Sequence, residues 1–484
     1  MYTAPTYVSF ELTGDCNLNC RHCYGKFPRK KKNELTLSEV CTVIDELYKV
    51  GVMRLELGGG EPALRPDFID IISHINKYSD INTTIVTNGI PWNEEMVRDF
   101  AKFQNNKIVH ISMDGYNPDT YSILRRNVNG FNRALETSIN MIKHGIDVRW
   151  NFAVGKLTYK HLSDTLQLAK EIGIKHVRLM VLYNTGRAAE DDEMGFTYEE
   201  YKSFVIDYIE NIKKNSPVSV TLSLAQPFEF FVPLMEAGYT IEEIKRHIPN
   251  AASSLEDYEY LKQTNLACPA GRMQSSITST GDMYFCCMLT SAPEFAGGNI
   301  FNRDIKKIWN ESPLFKWVRS LRLEDLKSNC KECKYKTICG GGCRARAYFN
   351  SGDFLAADPL CPFAINQSNQ SSIQPIIEKL PEDLLREVKT INSVDTFSLK
   401  INENIIRVRP EEFGACVFVP QHSYLNLNKS GLELLKTLYQ TKDEHKTIKI
   451  LSSKYKLPEN DVAELVTNFI NKFKNVSKEH VYRE

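Results

Sequence analysis

Two hydrophobic rhythms alternate between residues 7 and 182. Period-two apolar stretches at 7–14, 53–57, 83–89, 107–115, 147–154 and 176–182 predict six strands, with helical-period stretches between them. The clearest helix opens on Thr36 and Glu39, a capping-box pair, and shows Val40, Ile44, Leu47 and Val50 on one face. Gly51 follows where a C-terminal cap belongs, and a later helix ends before Gly173. Strand–helix alternation implies parallel strands with right-handed crossovers. Six such units give an α/β fold, a partial (β/α)6 barrel of TIM type, with function at the C-terminal strand ends.

The rhythm then changes. Residues 197–214 read as helix and 218–224 as strand, but no chemistry can be placed between 188 and 266. A polar stretch at 367–372 reads as linker before a helix at 376–388. Short extended stretches at 396–400, 405–408, 415–419 and 424–427 precede helices at 430–439, 446–455 and 460–474. That is the order of a small winged-helix-like α+β domain. DNA binding is the default for such domains, yet the last helix sets Glu459, Asp461 and Glu464 against Lys472 and Lys474, with no basic face.

Composition narrows the class. A chain of 484 residues has room for about three domains. Lys+Arg and Asp+Glu are 60 each, so no global field recruits nucleic acid or an anionic membrane. No apolar run approaches the ~18 residues that span a bilayer, and no signal segment opens the chain, which predicts a cytoplasmic protein. The charge run at 29–32 reads as a solvated loop. In a reducing compartment the 13 cysteines, grouped in short motifs, point to metal rather than cystines. Cys41 and Cys416 stand outside those motifs and read as core side chains.

The first motif is Cys16, Cys20 and Cys23, directly after the first strand. Three thiols on one loop suit an iron–sulfur cube, and three ligands leave one iron of a [4Fe–4S] cluster open to a small molecule. Zinc and a disulfide are the rival readings; zinc wants four ligands, and cysteines this close cannot all pair. After the second strand comes Gly58-Gly59-Gly60-Glu61-Pro62, where glycine lets backbone approach a ligand. Ser112 and Asp114 end the fourth strand and read either as turn formers or as ligand contacts. Asn151 and Arg187 are polar rim positions.

The C-x3-C-x2-C spacing followed by Tyr24 resembles the radical S-adenosylmethionine (radical SAM) signature, and the glycine stretch resembles that family's GGEP motif. The resemblance implies that Cys16, Cys20 and Cys23 hold a cluster whose open iron chelates S-adenosylmethionine. It also implies that Gly58 to Pro62 hold the amino group and that Ser112 and Asp114 contact the ribose. His22 and Tyr24 are implied cofactor contacts, and Asn151 and Arg187 are candidates for the methionine carboxylate. An electron donor such as flavodoxin or ferredoxin is implied as a partner.

Cys268, Gly281, Cys286, then Cys330, Cys333, Cys339 and Cys343, then Cys361 resemble the SPASM extension of radical enzymes. A ribbon of zinc fingers is the rival. The resemblance implies two auxiliary [4Fe–4S] clusters, one on Cys268, Cys286 and Cys343, the other on Cys330, Cys333, Cys339 and Cys361. Cys287 would be the first cluster's fourth ligand or an unligated catalytic thiol that gives a hydrogen atom to a substrate radical. Alternation along a strand points Cys286 and Cys287 to opposite faces and favours the unligated thiol. Residues 395–476, most clearly 408–414 and 425–430, resemble the peptide-binding fold of the pyrroloquinoline-quinone biosynthesis chaperone, which pairs a leader peptide with its sheet edge.

The organisation implied is a barrel at 1–187, a connecting segment at 188–266, an iron–sulfur domain at 267–363, a linker at 364–394 and a leader-binding domain at 395–484. The function implied is radical maturation of a ribosomally made precursor peptide by crosslinking, epimerisation or oxidation. Synthesis of a haem-type tetrapyrrole or another small molecule is the rival enzyme reading, and a zinc-bearing winged-helix regulator the non-enzyme one.

Overall fold

The structure is a computed structural model describing residues 2–479, except 30–32, 104–106, 192, 224–227, 248–265, 267, 365–395, 402–403 and 419–423. The expected linker at 367–372 and helix at 376–388 lie outside the described residues, as do 30–32 of the charge run.

All six expected strands form: β1 (Tyr7–Thr13), β2 (Arg54–Gly59), β3 (Asn82–Thr87), β4 (Lys107–Ser112), β5 (Val148–Val154) and β6 (His176–Val181). Each is parallel to the next. The crossovers are α1 (Leu37–Lys49), α2 (Phe68–Ile75), α3 (Glu94–Ala101), α4 (Pro118–Arg125), α5 (Gly130–Lys143) and α6 (Leu162–Ile172). In α1 both capping-box bonds form, Val40, Ile44 and Leu47 are buried, and Gly51 takes φ +88° just past the end. Period-two alternation then separates the faces. Val109, Ile111, Trp150, Phe152, Val177 and Leu179 join the main hydrophobic core. Their neighbours His110, Asn151 and Arg178 form a hydrogen-bonded group of their own.

The sheet does not stop at six strands. β7 (Ser219–Ser223) adds in parallel to β6, so the stretch from 188 onward supplies a seventh barrel strand. It is fed by α7 (Tyr198–Asp207), a π-helical turn at Tyr208–Ile212 and α8 (Lys213–Asn215), and followed by α9 (Phe228–Glu236). At the other edge β8 (Gln274–Ile277) adds in parallel to β1, followed by the antiparallel β9 (Asp282–Tyr284) and β10 (Ala296–Asn299). The order is β10-β9-β8-β1-β2-β3-β4-β5-β6-β7. The cysteine-rich segment is therefore sewn onto the barrel by its first strand.

Arg29 departs from the solvated-loop expectation. Its guanidinium makes two bonds to the buried Glu11 carboxylate (2.8 and 2.9 Å) and a third to the Thr290 carbonyl (2.8 Å). It clamps the first cysteine loop to the segment following Cys287.

The C-terminal unit is a four-stranded antiparallel sheet, β11 (Phe397–Ile401), β12 (Asn404–Glu411), β13 (Gly414–Phe418) and β14 (Tyr424–Asn428), followed by helices Lys429–Thr441, Glu444–Tyr455 and Glu459–Glu479. One face, with Leu399, Ile406, Val408, Ala415, Val417 and Leu427, packs on Leu435 of its own helix. The other lies on the barrel. Cys416 and Phe418 meet Tyr2 and Met53, and Arg407 binds Asp80 (2.8 Å) and the Tyr48 carbonyl (2.5 Å). Arg409 binds Glu411 (2.7 Å) and the carbonyls of Ala4, Pro5 and Gly51. These contacts are at the N-terminal ends of β1, β2 and β3. With both faces covered, the outer edges of β11 and β14 pair with no further strand among the described residues.

Candidate active site

The C-terminal strand ends surround a cavity of about 350 Å³. Cys16, Cys20, His22, Cys23, Tyr24, Gly58, Gly59, Gly60, Glu61, Ser112, Asp114, Asn151, Arg187 and Cys287 all line it. Pro62 alone of the expected cofactor residues does not; it is buried and starts the helical turn Pro62–Leu64.

The glycines divide their work. A side chain on Gly58 would meet nothing nearer than Val86 at 3.9 Å, so this position opens to the cavity. A Cβ on Gly60 would fall 1.9 Å from the Asp15 carbonyl oxygen, so its lack of a side chain serves packing against the cysteine loop. Glu61 is turned inward. It accepts from Thr87 Oγ1 (2.6 Å) and the backbone N–H groups of Asn88 (2.7 Å) and Ala63 (3.2 Å). Burial nonetheless raises its carboxyl to about 7.

Arg187 holds the cysteine loop. Its Nε donates to the Cys20 carbonyl (2.7 Å) and its backbone N–H to that of Cys23 (3.0 Å). Its buried Nη2 has no hydrogen-bond partner among the described residues. The same is true of His22 Nδ1, whose ring is kept neutral, its pKa lowered to about 3 first by burial and then by Arg125. Asn151 Oδ1 accepts from His110 Nδ1 (2.7 Å) and Arg178 Nε (3.0 Å), so what Asn151 offers the cavity is its amide N–H.

Sequence reasoning missed Arg125. It ends α4, lines the cavity, donates to Asp114 Oδ2 (2.5 Å) and points Nη1 at Cys20 Sγ (3.7 Å). The other Asp114 oxygen accepts from the Ala153 N–H (2.7 Å). Both carboxylate oxygens are thus engaged within the protein, which leaves Ser112 as the open polar side chain at the end of β4. The available signal was an Arg-Arg pair closing the helix after Ser112 and Asp114.

The three loop thiols fit a cluster. They are free of disulfides, and burial, then Glu61, Cys20 and Cys23, push the Cys16 thiol up to about 12. Burial disfavours the ionised forms of Cys16 and Cys20, and bound iron would supply the cation that holds them as thiolates. Among the described residues no three His, Cys, Asp or Glu side chains converge closely enough to hold a single metal ion.

The second field sorts spatially into two groups. Cys286 has Cys268 and Cys343 as electrical neighbours, while Cys361 has Cys330 and Cys333, and Cys339 has Cys361. The strand argument for Cys287 does not hold. β9 ends at Tyr284 and the chain turns into a 3-10 helix at Cys287–Leu289. The Cys286 thiol is raised, first by a hydrogen bond with Cys287 and then by burial. Cys287 reaches the cavity even so.

Residues 10–169 match the radical SAM superfamily, and residues 268–334 match the SPASM iron–sulfur cluster-binding domain. The chain is 31% identical to the AdoMet-dependent heme synthase of Methanosarcina barkeri over 75% of this chain and 97% of that protein. It is 26% identical to the mycofactocin maturase MftC of Mycobacterium ulcerans, over 74% and 88%. The fold resembles Streptococcus suis SuiB bound to its precursor peptide SuiA, at TM-score 0.58 and 17% identity, covering 75% of this chain and 76% of that one. The chain belongs to the radical SAM superfamily, in the branch that carries a SPASM domain. It is an S-adenosylmethionine-dependent enzyme with [4Fe–4S] clusters. Among the described residues no helix is long and apolar enough to cross a membrane.

Proposed function

We propose that the protein matures a ribosomally synthesised precursor peptide. The observation that carries this is the C-terminal sheet, which covers one face with its own helices and the other with the barrel, leaving strand edges. An edge strand is a template for an extended peptide, and a leader held there is recognised through its backbone. MftC is named a maturase and SuiB is bound to a precursor peptide, which supports the same reading. The heme synthase match covers 75% of this chain and the MftC match 74%, so each leaves about a quarter of the chain as an addition to what is shared. A small substrate needs no such addition.

When bound, the cluster and S-adenosylmethionine supply a 5′-deoxyadenosyl radical that takes a hydrogen atom from the substrate. This chain's residues place it. Cys16, Cys20 and Cys23 would hold the iron, and Gly58 to Gly60 would present backbone to the ammonium group. Arg125 and the Asn151 amide are the donors for the carboxylate, while Arg187 fixes the loop. Cys268, Cys286 and Cys343, and Cys330, Cys333, Cys339 and Cys361, are the auxiliary ligand sets. Electrons come from a small redox protein of the flavodoxin or ferredoxin class.

The test is anaerobic turnover with a precursor peptide encoded beside the gene. The expected result is peptide-stimulated 5′-deoxyadenosine formation and a mass change in the peptide core. Turnover of a tetrapyrrole precursor with no response to peptide would overturn it.

A further inference from the structure

A buried polar chain runs from the cavity to the auxiliary cysteines. Tyr183, just after β6, lines the cavity and donates its hydroxyl to Glu229 Oε2 (3.0 Å) on α9. Glu229 Oε1 lies 2.9 Å from Arg346 Nη2, which is also 2.8 Å from Asp358 Oδ2. Asp358 Oδ2 accepts the Cys343 backbone N–H at 2.6 Å. The Arg346 guanidinium also lies over the Tyr183 ring, 4.6 Å from its centre. Glu229, Arg346 and Asp358 have side chains 0%, 4% and 2% exposed.

Arg346 bridges two buried carboxylates, Asp358, which anchors the loop around Cys343, and Glu229. The Tyr183 hydroxyl bonds the second of these, so the cavity is linked through one hydrogen bond to a buried carboxylate able to bind a proton. Burial raises the Glu229 carboxyl in that direction, opposed by Arg346. Tyr183 is the member of the chain that reaches the cavity.

We propose that Tyr183 and Glu229 take up the proton a peptide substrate loses after hydrogen-atom abstraction. This rests on the maturase reading and narrows it to a net oxidation, desaturation or crosslinking included. A substrate C–H bond breaks homolytically, and its hydrogen atom leaves with 5′-deoxyadenosine. The substrate radical then gives one electron to an acceptor of the iron–sulfur class. One proton passes to the Tyr183 oxygen as the phenol's own hydrogen moves to Glu229 Oε2. The substrate thus loses two electrons and two protons. Tyr183 is the catalytic member; Glu229 acts through it, and Arg346 and Asp358 position Glu229. A thiol donor at Cys287 would instead return a hydrogen atom and leave the oxidation level unchanged, with no need for a proton acceptor.

The experiment compares wild-type holoenzyme with Glu229→Gln, Glu229→Asp and Tyr183→Phe. Expected for Glu229→Gln and Tyr183→Phe are unchanged iron content, an unchanged auxiliary-cluster spin-resonance signal and normal peptide-dependent 5′-deoxyadenosine. Product per 5′-deoxyadenosine should fall about 100-fold, the usual scale of a lost proton-transfer group. A substrate radical should accumulate in freeze-quenched samples, and Glu229→Asp should recover part of the yield. Unchanged product yield in Glu229→Gln and Tyr183→Phe overturns the proposal. So does loss of iron in either, which would make the network structural. Absence of peptide-dependent 5′-deoxyadenosine in the wild type overturns the maturase reading and this proposal together.

Discussion

Asp114 and Arg125 meet at 2.5 Å beside Cys20, with side chains 0% and 11% exposed. The carboxylate stands at the end of a barrel strand and the guanidinium at the end of the helix that follows it. One crossover thus builds a cation into the cofactor cavity and supplies its counter-charge. Arg125→Met should weaken S-adenosylmethionine binding by about tenfold or more, the scale of a hydrogen bond to a charged group. Asp114→Asn and Arg125→Met should each also destabilise the fold, by about 3–5 kcal/mol, because each leaves the other member of the pair buried without its partner. Equilibrium binding and chemical denaturation measure the two effects separately. Equal affinity in Arg125→Met would remove Arg125 from the carboxylate site.

Replacing Cys16, Cys20 and Cys23 together by Ala should remove one cluster's iron and abolish 5′-deoxyadenosine formation. The two auxiliary sites lie on other elements and should stay loaded. Iron and acid-labile sulfide assays on the reconstituted protein measure this. Residual cleavage of S-adenosylmethionine would show that the loop is not its cluster site.

The barrel was legible because each strand carries a local signal, an apolar alternation followed by an amphipathic helix, and some of the helices are capped. α1 shows this in full, with Thr36, Glu39 and Gly51 at the expected places. The cysteine and glycine motifs were legible for the same reason, since each is contiguous. What stayed hidden depends on pairing between distant segments. β7 reads as a strand from sequence, but only its register against β6 makes it part of the barrel. Arg29 looks like part of a charge run until Glu11 and the Thr290 carbonyl are brought beside it. Glu229 had a faint local signal, a lone acid in the apolar run Phe228-Glu229-Phe230-Phe231, but its partners come from residues 183, 346 and 358.

Lys107, at the start of β4, is buried with its ammonium on Asn76 Oδ1 (2.8 Å) and the Phe103 carbonyl (3.3 Å), and among the described residues no carboxylate is bonded to it. Burial lowers its pKa to about 8. The unfolded chain, with a lysine of ordinary pKa, binds more protons between about 8 and about 10.4. Stability should therefore rise with pH across that window and be lost as pH falls through about 8. Lys107→Met should flatten the slope and raise the midpoint at neutral pH by a few degrees. Thermal unfolding at several pH values tests both.

Arg407 and Asp80 join the C-terminal sheet to the barrel, both almost wholly buried. Arg407→Met should leave Asp80 uncompensated and cost about 3–5 kcal/mol, whereas pairing it with Asp80→Leu should recover most of that loss. The cofactor cavity lies at the other end of the strands. Cleavage of S-adenosylmethionine without peptide should accordingly be unchanged in the double variant. A parallel loss of cleavage would show that the two ends are coupled.

Cys287 is the residue on which strand alternation and the folded chain give different arguments for the same place. Alternation separates it from Cys286 by pointing it the other way, but the 3-10 turn bends the chain and the two thiols are hydrogen-bonded. Proximity to Cys286 makes it a candidate fourth ligand to that site. Its place in the cavity wall, beside Tyr24 and the cysteine loop, instead makes it a thiol facing substrate. Cys287 lines the cavity, whereas Cys286 and its electrical neighbours Cys268 and Cys343 are not among the lining residues. Cys287→Ala should therefore keep the full iron content and the auxiliary spin-resonance signal. It should also keep peptide-dependent 5′-deoxyadenosine formation. Turnover in deuterated water adds the decisive reading: a thiol donor would place solvent deuterium in the peptide, and Cys287→Ala would abolish that label. A loss of iron would make Cys287 a ligand. Product without deuterium, formed equally by wild type and variant, would leave the proton-accepting pair as the chemistry of this cavity.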